Sequence, residues 1–96
     1  VVKRAQARNL KAEKQPGSGV YQDFPNDVVV HGLLGECKVR SSHPSLALLL
    51  IWLAGAEENA KKHGFPGAFL VYNQKGSKAP RVLLDLDLFL DLLAGK

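Results

Sequence analysis

Cysteine, methionine and tryptophan are scarce in this chain: one Cys, no Met and one Trp stand among 96 residues. A lone Cys37 cannot close an internal disulfide, and with three scattered His residues it makes no pair at structural zinc spacing. Stability must come from packing instead, and a reducing, cytoplasmic compartment is the expected location. Long apolar runs are missing too. The longest, from Leu46 to Ala56, falls well short of the roughly 18 residues of a membrane-spanning helix, and Glu57 and Glu58 follow it at once. Nothing resembles a signal peptide, no internal repeat is visible, and the chain opens on Val1 rather than Met, so residues upstream of it are expected.

What is present suits a single folded domain over 1–96, too short for a (β/α)₈ barrel. Hydrophobic residues make up 46% and charged residues 23%, enough to build a core and too apolar for a disordered chain. Thirteen Lys and Arg against nine Asp and Glu leave a net charge of +4, a modest surplus that favours a polyanionic partner.

Val1 to Ala12 has few breakers and sets Arg4, Arg8 and Lys11 at i, i+4 and i+7, which predicts a helix with one basic stripe. Gln15 to Asn26 collects Pro16, Gly17, Ser18, Gly19 and Pro25 and reads as a long loop, with Tyr21 and Phe24 able to pack beneath it or to stack on an unpaired base. Val28-Val29-Val30 and Leu33 to Arg40 read as strands joined by a two-residue His31-Gly32 turn. Pro44 suits the first turn of a long helix ending at His63, with His43 at its N-cap. That helix is apolar on nearly all sides through Leu46 to Leu53, so a sheet and a partner chain are expected to cover it. Gly67 to Asn73 and Arg81 to Leu86 read as two further strands, and Leu88 to Ala94 as a last helix capped by Asp87. The order predicts an α/β fold with a small mixed β-sheet flanked by helices.

The His31-Gly32 turn has a chemical consequence. Antiparallel pairing around it sets Val30 opposite Leu33, Val29 opposite Leu34, Val28 opposite Gly35 and Asp27 opposite Glu36. Directly opposed side chains have Cβ atoms about 5 Å apart, where two carboxylates repel by on the order of 3 kcal/mol at an effective dielectric near 20. A divalent cation or a shared proton would offset that. Lys38, two residues beyond Glu36, projects from the same face, whereas Cys37 points to the other and reads as a core thiol. Two hard oxygen donors beside an ammonium suit Mg²⁺ or Mn²⁺ and the hydrolysis of a phosphodiester. The plain alternative is an exposed Asp27 and a Glu36-Lys38 salt bridge on a solvated strand.

The Asp27 … Glu36-Cys37-Lys38 arrangement, preceded by Pro16-Gly17-Ser18-Gly19, resembles the PD-(D/E)XK nuclease superfamily, and within it the small phage and archaeal Holliday junction resolvase-like endonucleases. That resemblance implies a restriction-endonuclease-like αβββαβ core, a DNA endonuclease acting on branched DNA in a bacterial, archaeal or phage-infected cell, and a homodimer. It further implies that Asp27, Glu36 and the carbonyl of Cys37 bind the metal and that Lys38 is the catalytic lysine, with Arg40 and Ser41 continuing toward the scissile phosphate. The family places Pro directly before its Asp, whereas this chain reads Pro25-Asn26-Asp27, so Asp23 competes for the ligand position. Related resolvases also carry a Glu in the first helix; no Glu precedes Glu13 here, which leaves an acid upstream of Val1, replacement by Gln6, or loss of that acid as the alternatives.

Arg4, Arg8, Lys11, Gly17, Ser18 and Gly19 complete the candidate DNA contacts, with a solvated helix face and an ordinary flexible turn as the competing explanations. Asp85 and Asp87 alternate with leucines on a strand face and Asp91 follows on a helix, which suits solvent and capping roles. A non-catalytic nucleic-acid-binding module on the same fold is the functional alternative.

Overall fold

The computed structural model describes residues 1–14 and 27–95. Among these, helices and strands follow in the order α1 (Val2–Gln6), β1 (Ala12–Lys14), β2 (Val28–Val30), β3 (Leu33–Arg40), α2 (Leu46–Lys62), β4 (Ala68–Gln74), β5 (Arg81–Leu83) and α3 (Leu86–Leu93). The strands form one sheet in the order β1-β2-β3-β4-β5, antiparallel throughout except between β3 and β4. This is the expected α/β class, a small mixed sheet with helices on it. No described helix is long and apolar enough to cross a membrane.

The β2–β3 hairpin forms in the expected register, Val30 against Leu33, Val29 against Leu34 and Val28 against Gly35. His31 (φ 53°) and Gly32 (φ 78°) both lie in the left-handed region, as a type I′ turn requires, and that turn matches the right-handed twist of the strands it joins. The parallel β3–β4 pair needs a crossover, and α2 supplies it. Period-two alternation then divides the core. Leu34, Ala68 and Leu70 pack against Leu49, Leu53, Ala56 and Ala60 of α2, while Val28, Leu33, Phe69 and Val71 on the opposite face meet Val2 of α1 and Leu88 and Leu92 of α3.

Several boundaries differ from expectation, each for a local reason. The first helix stops at Gln6 instead of running to Ala12, because Asn9 takes φ 61° and the Leu10 and Asn9 N–H groups turn back to the carbonyls of Ala5 and Gln6 in a Schellman closure. The chain then enters β1, which pairs with β2, so Arg4, Arg8 and Lys11 do not form one helical stripe. The long helix is capped by Ser45, whose hydroxyl accepts the Leu48 N–H at 3.2 Å, rather than by His43; Pro44 precedes the cap. At the far end β5 stops at Leu83, and the Asp85 carboxylate accepts the Leu88 N–H at 3.3 Å, so Asp85 caps α3 and Asp87 sits in its first turn. Neither aspartate lies on a strand. A side-chain cap satisfies a backbone donor that would otherwise be orphaned, and in both helices it outweighs the sequence positions of Pro44 and Asp87.

The Phe69 ring lies over Gly35, its partner in the parallel register, so closely that a Cβ at Gly35 would run into it. Gly35→Ala should therefore cost about 1–3 kcal/mol in urea unfolding. Gly55→Ala, in the α2 interior with nothing within 4 Å of the added carbon, should instead gain about 0.5–1 kcal/mol. Equal effects of the two substitutions would contradict this packing.

Candidate active site on the α2 face of the sheet

Alternation along β3 sends Leu34, Glu36, Lys38 and Arg40 to the face covered by α2 and Cys37 to the other, where it packs beside Val28 and Val71. Burial pushes the Cys37 thiol above its ordinary range, in keeping with an unreactive core position. Asp27 immediately precedes β2, so the hairpin register carries it to the place opposite Glu36.

Asp27 is not an exposed surface acid. Only 3% of it is accessible, and its Oδ1 atom is buried with no hydrogen-bond partner among the described residues. Loss of hydration, then the nearby Glu36 carboxylate, push its pKa up to about 7 against an ordinary value near 3.8, with Lys38 pulling weakly the other way. Glu36 is half-buried, and its Oε1 accepts the Lys38 ammonium at 3.2 Å. The expected Asp27, Glu36 and Lys38 group is thus brought together on one face, one of its acids desolvated and the other ion-paired.

A fourth member was not legible in the sequence. The Trp52 ring of α2 lies beneath both cations, 5.6 Å from the Lys38 ammonium and 4.9 Å from the Arg40 guanidinium. Trp52 also packs against the cluster of Leu49, Leu53 and Leu70. Trp52 falls three residues after the buried Leu49, a hint that it borders the covered stripe of α2. Which strand residues it meets depends on how the crossover sets the helix on the sheet, and no local pattern carries that.

The remaining candidates are dispersed. Arg4 and Arg8 border an apolar groove of about 300 Å³ floored by Val30, Phe69 and Val71, on the sheet face opposite Glu36 and Lys38. Lys11 offers its carbonyl to the His31 N–H and is exposed at the start of β1. Gln6 donates through Nε2 to the Ala12 carbonyl at 3.0 Å, so it ties α1 to β1 and does not fill the place of an acid. Ser41 is exposed past the end of β3, its carbonyl accepting from Gln74 Nε2 at 3.5 Å. Gly17, Ser18 and Gly19, together with Tyr21, Asp23 and Phe24, lie outside the described residues.

A divalent cation can be tested against this donor set. Among the described residues no three His, Cys, Asp or Glu side chains cluster as a complete cage. Mg²⁺ does not need one, since it keeps several waters and binds through one or two carboxylates and substrate phosphate. Asp27 Oδ1, buried without a hydrogen-bond partner among the described residues and close enough to Glu36 to feel its charge, suits that mode. Comparison of the chain with protein-family models, curated proteins and solved structures finds no match in any of the three.

The buried acid gives a pH prediction for the metal-free protein. Because the folded state holds the Asp27 proton up to about pH 7 and the unfolded chain releases it near 3.8, the folded state binds more protons between those values, and stability falls as pH rises through them. At about 1.4 kcal/mol per pKa unit, cut roughly by half for solvent screening, the loss is on the order of 2 kcal/mol. Asp27→Asn should remove this part of the slope in urea melts from about pH 4 to about pH 8. An unchanged slope in the variant would mean that Asp27 ionises normally.

Proposed function

We propose that this chain is a metal-dependent DNA endonuclease with its active centre at Asp27, Glu36 and Lys38. The observation that carries the proposal is the desolvated Asp27, whose Oδ1 has no hydrogen-bond partner among the described residues and whose carboxyl feels the charge of Glu36 from the neighbouring strand. Folding gains nothing from such a pair, whereas a site for Mg²⁺ or Mn²⁺ requires it. Asp27 and Glu36 would hold the cation, with the Cys37 carbonyl as the further ligand implied by the superfamily resemblance. When bound, the cation supplies positive charge to the phosphate oxygens and acidifies water.

The chain's own groups account for the rest. Lys38, held at 3.2 Å by Glu36, would offer an N–H to the attacking water or to a non-bridging phosphate oxygen. Attack of that water on phosphorus breaks one P–O ester bond, and the leaving oxygen takes up a proton. The half-buried position of Lys38 and Glu36 limits competing solvent and strengthens the electrostatics of the step.

Branched DNA, with the Holliday junction as type case, is the proposed substrate, a homodimer the proposed working unit and the cytoplasm its place. Exposed Leu46, Leu50 and Ile51 on α2 support an interface between copies, and the single unpaired Cys37 supports a reducing compartment.

Cleavage of matched four-way junction, flap and linear duplex DNA with Mg²⁺, Mn²⁺ or EDTA tests this directly. Metal-dependent nicking should be strongest on the junction, and Glu36→Gln or Lys38→Ala should lower its rate by roughly 10²–10⁴ while the fold survives. Cleavage at the wild-type rate by either variant would remove the triad from the mechanism. DNA bound without any metal-dependent turnover would identify a non-catalytic binding module instead.

A further inference from the structure

We infer that Trp52 is a positioning residue that holds Lys38 and Arg40 together as a two-cation cradle for one backbone phosphate of nucleic acid. The inference builds on the proposed function and assigns a role to a residue outside its triad. Two contacts and a shared strand face support it. Lys38 and Arg40, two apart on β3, project from the same face, and one indole lies within 5.6 Å of the first cation and 4.9 Å of the second. Two cations brought over one ring repel each other, and an aromatic face offsets only part of that repulsion.

The local charges leave room for one more anion. Lys38 is answered by Glu36, but no carboxylate of the described residues pairs with Arg40, which is exposed. A phosphodiester is a single negative charge with two free oxygens, which suits an ammonium and a guanidinium side by side. Trp52 has the means to set the spacing, because it packs against Leu49, Leu53 and Leu70 and is held more firmly than the two long side chains beside it. Without the ring, each cation would sample its own rotamers and the phosphate would meet them singly.

Trp52 is the only tryptophan, so its emission reports the cradle with no competing indole. Titrating the protein with a short DNA duplex in EDTA should change that emission saturably, and Arg40→Ala should abolish the change. By anisotropy under the same metal-free conditions, Arg40→Ala should weaken duplex binding about tenfold in the wild-type background and less than about threefold in a Trp52→Leu background, since neighbours that act as a unit are not additive. In Mn²⁺, Trp52→Leu should slow single-turnover cleavage at saturating DNA by roughly tenfold to a hundredfold, and Trp52→Phe, which restores a ring, should recover most of the loss.

The same cost of Arg40→Ala in both backgrounds would overturn the inference, as would emission that ignores bound duplex. If Trp52→Leu does not fold, the emission response of the wild-type and Arg40→Ala proteins decides alone. An emission change with the expected coupling but no cleavage by the wild type in any metal would uphold the cradle and refute the nuclease.

Discussion

Side chains alternate along a strand with period two, so sliding β2 against β3 by one residue would turn every side chain of the strand to the wrong face. Two features hold the register. The His31-Gly32 turn admits only a two-residue loop with both residues at positive φ, and the strands it joins bury Val28 on one face and Leu34 on the other. Slippage would take Leu34, now 1% accessible, away from Ala56 and Ala60 and drive Glu36 and Lys38 into the layer of Phe69 and Val71. The place of Asp27 opposite Glu36 is therefore imposed by hydrophobic burial and turn geometry, against the preference of the two acids themselves.

Domains of this size are stable by only about 5–15 kcal/mol, so an uncompensated carboxylate pair would be a serious burden. The protein reduces it in two ways. Lys38 answers Glu36 directly, and Asp27 keeps its proton to about pH 7, which removes one of the opposed charges in the metal-free state. Neither measure satisfies Asp27 Oδ1, which stays buried without a partner among the described residues. A purely structural role would favour replacing that acid with an apolar residue, and this contrast weighs toward a ligand in the proposed function.

The hairpin, its turn, the β3 face and the α/β class were legible in the sequence because each rests on a short-range rule: β-branched runs, a turn residue free to take positive φ, alternation. The errors lie where a rule of equal strength competes. Arg4, Arg8 and Lys11 have helical spacing, yet Asn9 ends the helix by adopting a left-handed backbone, and no helix-period pattern registers a single residue of that kind. Ser45 and Asp85 capped the helices in place of the residues beside them, since capping depends on where the first unpaired N–H falls, and that is fixed only once the helix has docked. Trp52 lay beyond reach for a different reason. Its partners are on β3, and the contact exists only through the packing of α2 across the sheet.

That packing explains why the polar group gathers at one end. α2 runs back against the parallel strands, so its last turns lie over their starts, where Ala56 and Ala60 meet Leu34 and Ala68 in a closely packed apolar layer. Its first half lies over the later part of the strands, where larger side chains, Leu49, Leu53 and Trp52, meet Leu70 and Tyr72. The layer is built of small residues at one end and of bulky ones at the other. Glu36, Lys38 and Arg40 follow one another along β3 toward the bulky end, from half-buried to exposed, and the carboxyl ends of strands are where open α/β sheets hold their ligands. A charged group placed under Ala56 or Ala60 would have no outlet to solvent; beneath Trp52 it has an aromatic face on one side and water on the other. The crossover helix thus divides the face it covers into a sealed part that stabilises the sheet and an open part where charged chemistry can be held.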